Sequence, residues 1–280
     1  MNYRHAFHAG NFADLAKHAI LTRLLRDLVV GPAPLTVIDT HAGAGIYDLQ
    51  ADASRRTGEA GAGIVRLLAA QDVPTAFADV VAAVARVNAR GERRYYPGSP
   101  VIVAGLLRPR DRYIACELRP DDHAALKSVL PRELGALVHL GDGWAHAARI
   151  APGAPAHLLV LIDPPFERGD DYAEALALLG KVMSVNPGAV VAIWVPIKDL
   201  ATFDAFLGEV EDAASGAAVL AAEVRLRPLS DPMRLNGCAM VVVNPPTGLG
   251  AAAGPVVDWL AENLGEAGAV GRITDFAAGI

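Results

Sequence analysis

The chain has 280 residues, 52% of them hydrophobic, and a formal net charge of −6. That is enough apolar material for one well-buried domain, and the acidic balance argues against a broad basic surface of the kind that grips nucleic acid without regard to sequence. No apolar run approaches the ~20 residues of a bilayer-spanning helix. The start, Met1-Asn2-Tyr3-Arg4-His5, lacks the apolar stretch and cleavage site of a secretion signal. Cys116 and Cys238 stand singly in apolar segments and read as buried free thiols, which fits a reducing, cytoplasmic setting.

In chain order, a polar-aromatic tail comes first: Tyr3-Arg4-His5-Ala6-Phe7-His8-Ala9-Gly10. So many rings in so few residues predict a tail that packs, and it is expected to lie over a ligand mouth. A helix follows. Asn11 is a suitable N-cap with Asp14 three residues on, Leu21, Leu24, Leu25 and Leu28 recur at helical spacing, and Gly31-Pro32 stops the run. A strand at 35–39 then enters the turn Thr40-His41-Ala42-Gly43-Ala44-Gly45. Residues 51–97 are helical in pattern, with one stripe of Phe77, Val80, Val81, Val84 and Val87 that Thr75 can cap and Gly91 can end. This stretch is expected to be a helical insertion within a single domain spanning 1–280.

Strand patterns resume at 113–116, 136–140, 158–162, 190–195, 223–226 and 240–243, separated by helical ones. The continuous apolar runs predict a parallel sheet covered on both faces, hence a doubly wound α/β domain of Rossmann-like type. Ligands of such sheets sit beyond the carboxyl ends of the strands. Here those ends carry Asp39 with the Gly43/Gly45 turn, then Glu117, then Asp142-Gly143, then Asp163-Pro164-Pro165-Phe166. Each feature alone is a common loop or cap; four at successive strand ends point to one site. A nicotinamide dinucleotide fits poorly, because Gly43-Ala44-Gly45 runs into Ile46-Tyr47-Asp48 without the third glycine. Zinc is not expected: His5, His8 and His18 have no cysteine or carboxylate at ligand spacing.

Asp163-Pro164-Pro165-Phe166 is the sharpest signal. A carboxylate and a backbone carbonyl that accept both N–H groups of an aromatic amine would localise its lone pair, stiff prolines would keep them aimed, and Phe166 offers a face for an extruded base. As a plain strand exit, the same run would have Asp163 as a cap and prolines blocking further pairing.

The Asp-Pro-Pro-aromatic run after a glycine-rich first-strand turn resembles the methyltransferases that modify adenine N6. The stretch Tyr3-Arg4-His5-Ala6-Phe7-His8-Ala9-Gly10-Asn11-Phe12-Ala13-Asp14 with Lys17-His18 is similar to the bacterial 23S ribosomal RNA adenine-N6 methyltransferases of the J type. So are Asp39-Thr40-His41-Ala42-Gly43-Ala44-Gly45, Arg94-Tyr95-Tyr96-Pro97-Gly98-Ser99-Pro100, Ile162-Asp163-Pro164-Pro165 and Asn244-Pro245-Pro246. The resemblance implies a seven-stranded methyltransferase fold, a monomer, and S-adenosylmethionine as cofactor, released as S-adenosylhomocysteine. It implies cofactor contacts at His18, His41, Ser99, Glu117, Asp142, Gly143 and Asp163, with Asp163 as the catalytic acceptor. Tyr3 would touch the RNA, and Lys17 and Phe166 are further substrate-side candidates. Phe166 departs from the family pattern, which has Tyr there. The alternatives are an adenine-N6 methyltransferase acting on DNA or another RNA, and a non-catalytic RNA-binding relative. Arg4, Arg55, Arg56, Arg93 and Arg94 are expected to gather near the strand ends as the RNA contact.

Overall fold

Aliphatic and β-branched runs too short for helices build the sheet. The computed structural model describes residues 4–89, 91–130, 134–155, 157–231 and 234–276. In chain order the elements are α1 (Phe12–Leu28), β1 (Thr36–Asp39), β2 (Ile46–Asp48), α2 (Asp52–Thr57), α3 (Glu59–Ala62), α4 (Ile64–Ala69), α5 (Ala78–Val87), β3 (Tyr95–Pro97) and α6 (Ser99–Leu106). They continue with β4 (Arg112–Glu117), α7 (Pro120–Val129), β5 (Leu137–Leu140), α8 (Gly143–Ile150), β6 (Leu158–Ile162), α9 (Asp171–Val185) and β7 (Val190–Ile197). The last are α10 (Leu200–Ala213), β8 (Val219–Arg225), β9 (Gly237–Val243), α11 (Leu249–Leu264) and β10 (Val270–Phe276).

One sheet runs β10-β8-β9-β7-β6-β1-β4-β5. Strands β7, β6, β1, β4 and β5 are parallel neighbours, whereas β9 is antiparallel to β7 and β8, and β10 to β8. Side-chain alternation splits the core in two. Val37, Leu159 and Leu161 pack toward α1 and α11; Ile38, Val160 and Ile162 pack on the other face with residues of α8, α9 and α10. Each such fully buried side chain contributes about 1.5–3 kcal/mol. Because β1 lies between β4 and β6, the chain leaves it in both directions, and the crevice opens above β1 where doubly wound folds bind ligands.

The sheet has eight strands, one more than the resemblance implies. The added β10 is an edge strand of mixed, partly exposed residues paired only with β8, so it has no continuous apolar run to give it away. Residues 95–97 are extended and pair with β2 in a separate ribbon. Helix α5 ends at Val87 rather than at Gly91: Asn88 donates its amide to the Val84 and Tyr95 carbonyls and accepts from the Arg94 and Tyr95 amides, turning the chain at once into β3. Thr75 makes no side-chain cap, and lies in a 3-10 turn that precedes the helix. No helix among the described residues is long and apolar enough to cross a membrane.

Candidate active site

Helix α1 is buried along most of its length, and it brings the ionisable side chains of Asp14, Lys17 and His18 into the interior. The Asn11 side chain accepts from the Asp14 amide at 3.0 Å, and Asp14 Oδ2 accepts from the Gly10 amide at 2.9 Å, a reciprocal cap that fixes the first turn. The same carboxylate is held by His5 Nε2 and by Lys17 Nζ, each at 3.0 Å. Lys17 Nζ also donates to Asp163 Oδ2 at 2.6 Å. Burial opposes charge on Asp14 and Lys17, but the attraction of their partners wins. Asp14 is held well below the ordinary carboxylate range by His5 and Lys17, and Lys17 well above the lysine range by Asp14 and Asp163. The result is one ammonium between two carboxylates at the exit of β6.

A cleft of about 950 Å³ opens over these groups. Its lining includes His18, His41, Ser99, Glu117, Asp142, Gly143 and Asp163, together with Lys17 and Phe166. These residues come from α1, from the exits of β1, β4, β5 and β6, and from the start of α6. Tyr3 lies outside the described residues, but its successors Arg4, His5, Ala6 and His8 border the cleft.

The individual settings differ. Glu117 at the end of β4 accepts from the Gly43 amide (2.9 Å) and the Arg119 amide (2.7 Å), which leaves lone pairs for a ligand. Burial raises its pKa while these amides oppose the shift. Asp142 Oδ1 caps α8 by accepting from the Trp144 and Ala145 amides. A Cβ on Gly143 would overlap the Thr40 carbonyl oxygen, so glycine is what lets β1 and α8 touch here. Ser99 is not an N-cap; its hydroxyl donates to Asp39 Oδ2 at 3.1 Å, beside the Tyr113 hydroxyl at 3.0 Å. Burial lifts Asp39 to about 6 against these hydrogen bonds.

The two histidines are neutral. His18 is wholly buried and driven down to about 3; its Nδ1 meets the Tyr96 hydroxyl at 2.8 Å, and its Nε2 has no hydrogen-bond partner among the described residues. Burial takes His41 to about 4, with its ring edge-on to Trp144 at 4.6 Å and its Nδ1 on the Thr40 hydroxyl.

Phe166 occupies a left-handed backbone conformation, φ 50°, which is costly for a non-glycine residue and puts its ring against Tyr172 (4.7 Å) and Trp194 (5.9 Å). Only 7% of the residue is exposed, so the open flat face expected from sequence is largely covered by its neighbours. Trp194 itself lines the cleft and was not anticipated; the signal was a single indole in the otherwise aliphatic β7. Asp14 was read only as a cap, although its spacing of three from Lys17 on one helix marks an ion pair. Of the five arginines expected near the strand ends, only Arg4 lines the cleft. Arg94 is paired with Asp48, Arg93 reaches the Leu68 carbonyl, and Arg55 and Arg56 are exposed on α2.

The model of the family described as "Ribosomal RNA large subunit methyltransferase D, RlmJ" matches residues 32–275. The chain is 33% identical over 268 residues to "Ribosomal RNA large subunit methyltransferase J" of Escherichia coli (strain K12), covering 96% of this chain and 95% of that protein. It is 34% identical over 265 residues to the protein of the same name from Haemophilus influenzae, covering 94% of each. Among solved structures, protein LPL1258 of Legionella pneumophila superposes with a TM-score of 0.87 at 30% identity, over 95% of this chain and 98% of that one. A family match across most of the chain and relatives matched nearly end to end leave one assignment: the chain belongs to the RlmJ family of ribosomal RNA large subunit methyltransferases.

Proposed function

We propose that this chain, acting as a monomer, transfers a methyl group from S-adenosylmethionine to the N6 amino group of an adenine in 23S ribosomal RNA. The observation that carries the reading is the meeting in one cleft of Asp163-Pro164-Pro165-Phe166 with the strand-end groups Gly43, Glu117 and Asp142. Residues 51–97 act within the chain as a helical insertion whose Ala51, Thr57, Glu59 and Ala62 form part of the outer wall.

The residues suit the cofactor. His18 Nε2 is buried with no hydrogen-bond partner among the described residues, and Glu117 keeps spare acceptor capacity. When bound, S-adenosylmethionine supplies an electrophilic methyl group. His18, His41, Ser99, Glu117, Asp142 and Gly143 would hold it, the acidic members complementing a cationic ligand.

The chain's own work lies at Asp163. Lys17 donates to Oδ2 and holds the carboxylate in place, which leaves Oδ1 and the Pro164 carbonyl to accept the two N–H groups of the target amine. Phe166 and Trp194 wall the base site, and Tyr3 contacts the RNA from the tail. Neutral His18 and His41 add no positive charge to repel a sulfonium ligand. The reading is tested by incubating the protein with methyl-labelled S-adenosylmethionine and naked ribosomal RNA and digesting to nucleosides. Label is expected in N6-methyladenosine; label in another nucleoside, or transfer only to DNA, would overturn it.

A further inference from the structure

The charged groups lining the cleft are not evenly placed. Over β1, β4 and β5 they are predominantly acidic: Glu117, Asp122 and Asp142, with Arg119 engaged by Asp122 at 3.2 Å. Over β7, β8 and β9 they are Lys198, Arg227 and Arg234, in a chain whose net charge is −6. Lys198 follows β7 directly, and Arg227 and Arg234 lie in the connection from β8 to β9. An RNA backbone would be repelled by the first half and attracted to the second.

These cations are held in register by a buried side chain. Asn236, only 1% exposed, donates its amide to the Lys198 carbonyl at 3.1 Å and to the Asp231 carbonyl at 2.8 Å. Its own carbonyl accepts from the Leu226 and Arg227 amides, and the Arg234 amide donates to the Asp231 carbonyl. One residue thus ties the exits of β7 and β8 to the entry of β9. Arg227 is half-buried and partly engaged, with Nη1 on the Leu235 carbonyl and Nε 3.3 Å from Glu266. Lys198 and Arg234 are exposed and form no ion pair among the described residues. The nearby Asp199 is occupied in capping α10 through Thr202. Charges without an ion-pair partner among the described residues, standing at a cleft rim, suit phosphodiester contacts.

We propose that Lys198, Arg227 and Arg234, aligned by Asn236, form a phosphodiester-binding rim that leads the substrate RNA into the cleft from the β7–β9 side. This rests on the ribosomal RNA reading above and adds a direction of approach: the backbone crosses the rim while the target base turns toward Asp163.

The test compares wild type, the double variant Lys198→Gln/Arg234→Gln, and a control, Arg110→Gln/Arg112→Gln, at the opposite end of the sheet where β4 begins. Each is assayed for binding to naked ribosomal RNA across a salt series, for methyl transfer, for S-adenosylmethionine affinity and for melting temperature. The rim variant should lower the slope of log affinity against log salt by about 1.4, from two lost contacts at ~0.7 each on unpaired RNA. Its cofactor affinity and melting temperature should match wild type, and the control slope should not change. If wild type methylates the RNA and the rim variant keeps the wild-type slope, the rim is wrong while the ribosomal RNA reading stands. Equal loss of cofactor affinity or stability would also overturn the rim, since the residues would then serve the fold. Wild type without transfer to ribosomal RNA would remove both.

Discussion

Lys17 Nζ lies 2.6 Å from Asp163 Oδ2, joining the second turn of α1 to the exit of β6 across 146 residues of sequence. The contact makes the orientation of the proposed catalytic carboxylate depend on a helix that is otherwise part of the core. It also separates two functions of Asp163: one oxygen is bound to the protein, the other is left for substrate. Asp163→Asn keeps the shape and an acceptor for Lys17, so the fold and cofactor binding should persist. Methyl transfer should fall at least about a hundredfold, the scale of a lost aimed acceptor. Near-normal turnover in that variant would falsify the role given to Asp163.

Lys17→Met removes the ammonium shared by Asp14 and Asp163 while roughly keeping the volume. Breaking a buried pair from one side costs about 3–5 kcal/mol, so the variant should melt well below wild type. The sign of the pH effect follows from the shifts. Asp14 is depressed in the folded state, so its contribution is present above the ordinary aspartate value (~3.9) and is lost as pH falls through its folded value. Lys17 is raised, so its contribution is present below ~10.4 and is lost only as pH rises through the higher folded value. The stability gap between variant and wild type should therefore be flat between about pH 6 and 9 and narrow in strong acid. A gap that widened toward pH 4 would contradict this account.

His18 and His41 are held neutral, at about 3 and about 4, against an ordinary 6.5. The unfolded chain takes up both protons below about pH 6.5 while the folded one does not, so stability falls as pH drops from there toward 4. Asp39, at about 6, works the other way: it binds a proton in the folded state before it would in the unfolded one, and offsets part of the loss between about pH 6 and 4. Glu117, also raised by burial, acts in the same sense as Asp39, so the histidines' contribution is the difference in slope between wild type and a variant that lacks them. Urea melts between pH 7 and 4.5 should show it: a His18→Gln/His41→Gln variant should lose less stability toward acid than wild type. If the double variant and wild type have parallel pH profiles, the histidines are not what limits acid stability.

Gly143→Ala probes the contact between β1 and α8. The added methyl meets backbone, the Thr40 carbonyl, and cannot be relieved by a side-chain rotation. Overpacking of this kind costs about 1–3 kcal/mol, occasionally more. The expected result is a lower melting temperature together with weaker S-adenosylmethionine binding, because the displaced Thr40 and His41 border the cleft. A variant as stable as wild type with unchanged cofactor affinity would show that the two backbones can part without cost.

By itself the sequence determined the layered α/β architecture, because the runs at 158–162 and 190–195 are apolar at every position and can only be covered on both faces. It also placed the strand-end residues: Glu117, Asp142 and Asp163 each sit where an apolar run stops, and a parallel sheet brings such stops to one end. It marked the start of α1, since Asn11 and Asp14 act over three residues. The alternation that reveals a strand is weak in β10, which is half-exposed and paired on one side only, so local pattern could not announce it.

What tertiary structure alone decided was which groups share partners. No local rule ties Lys17 to Asp163, Ser99 to Asp39, or Asn236 to the carbonyl of Lys198, because each pair is joined by the way strands and helices are ordered in space. The same holds for Phe166, whose identity is plain in the sequence but whose exposure depends on Tyr172 and Trp194 closing around it. It holds too for the arginines. Adjacent pairs such as Arg55-Arg56 stand out along the chain, yet the cleft is rimmed by Lys198 and Arg234, 36 positions apart in number and brought together by antiparallel strand pairing and one buried asparagine amide. Charge acts over distances in space, and the fold sets those distances.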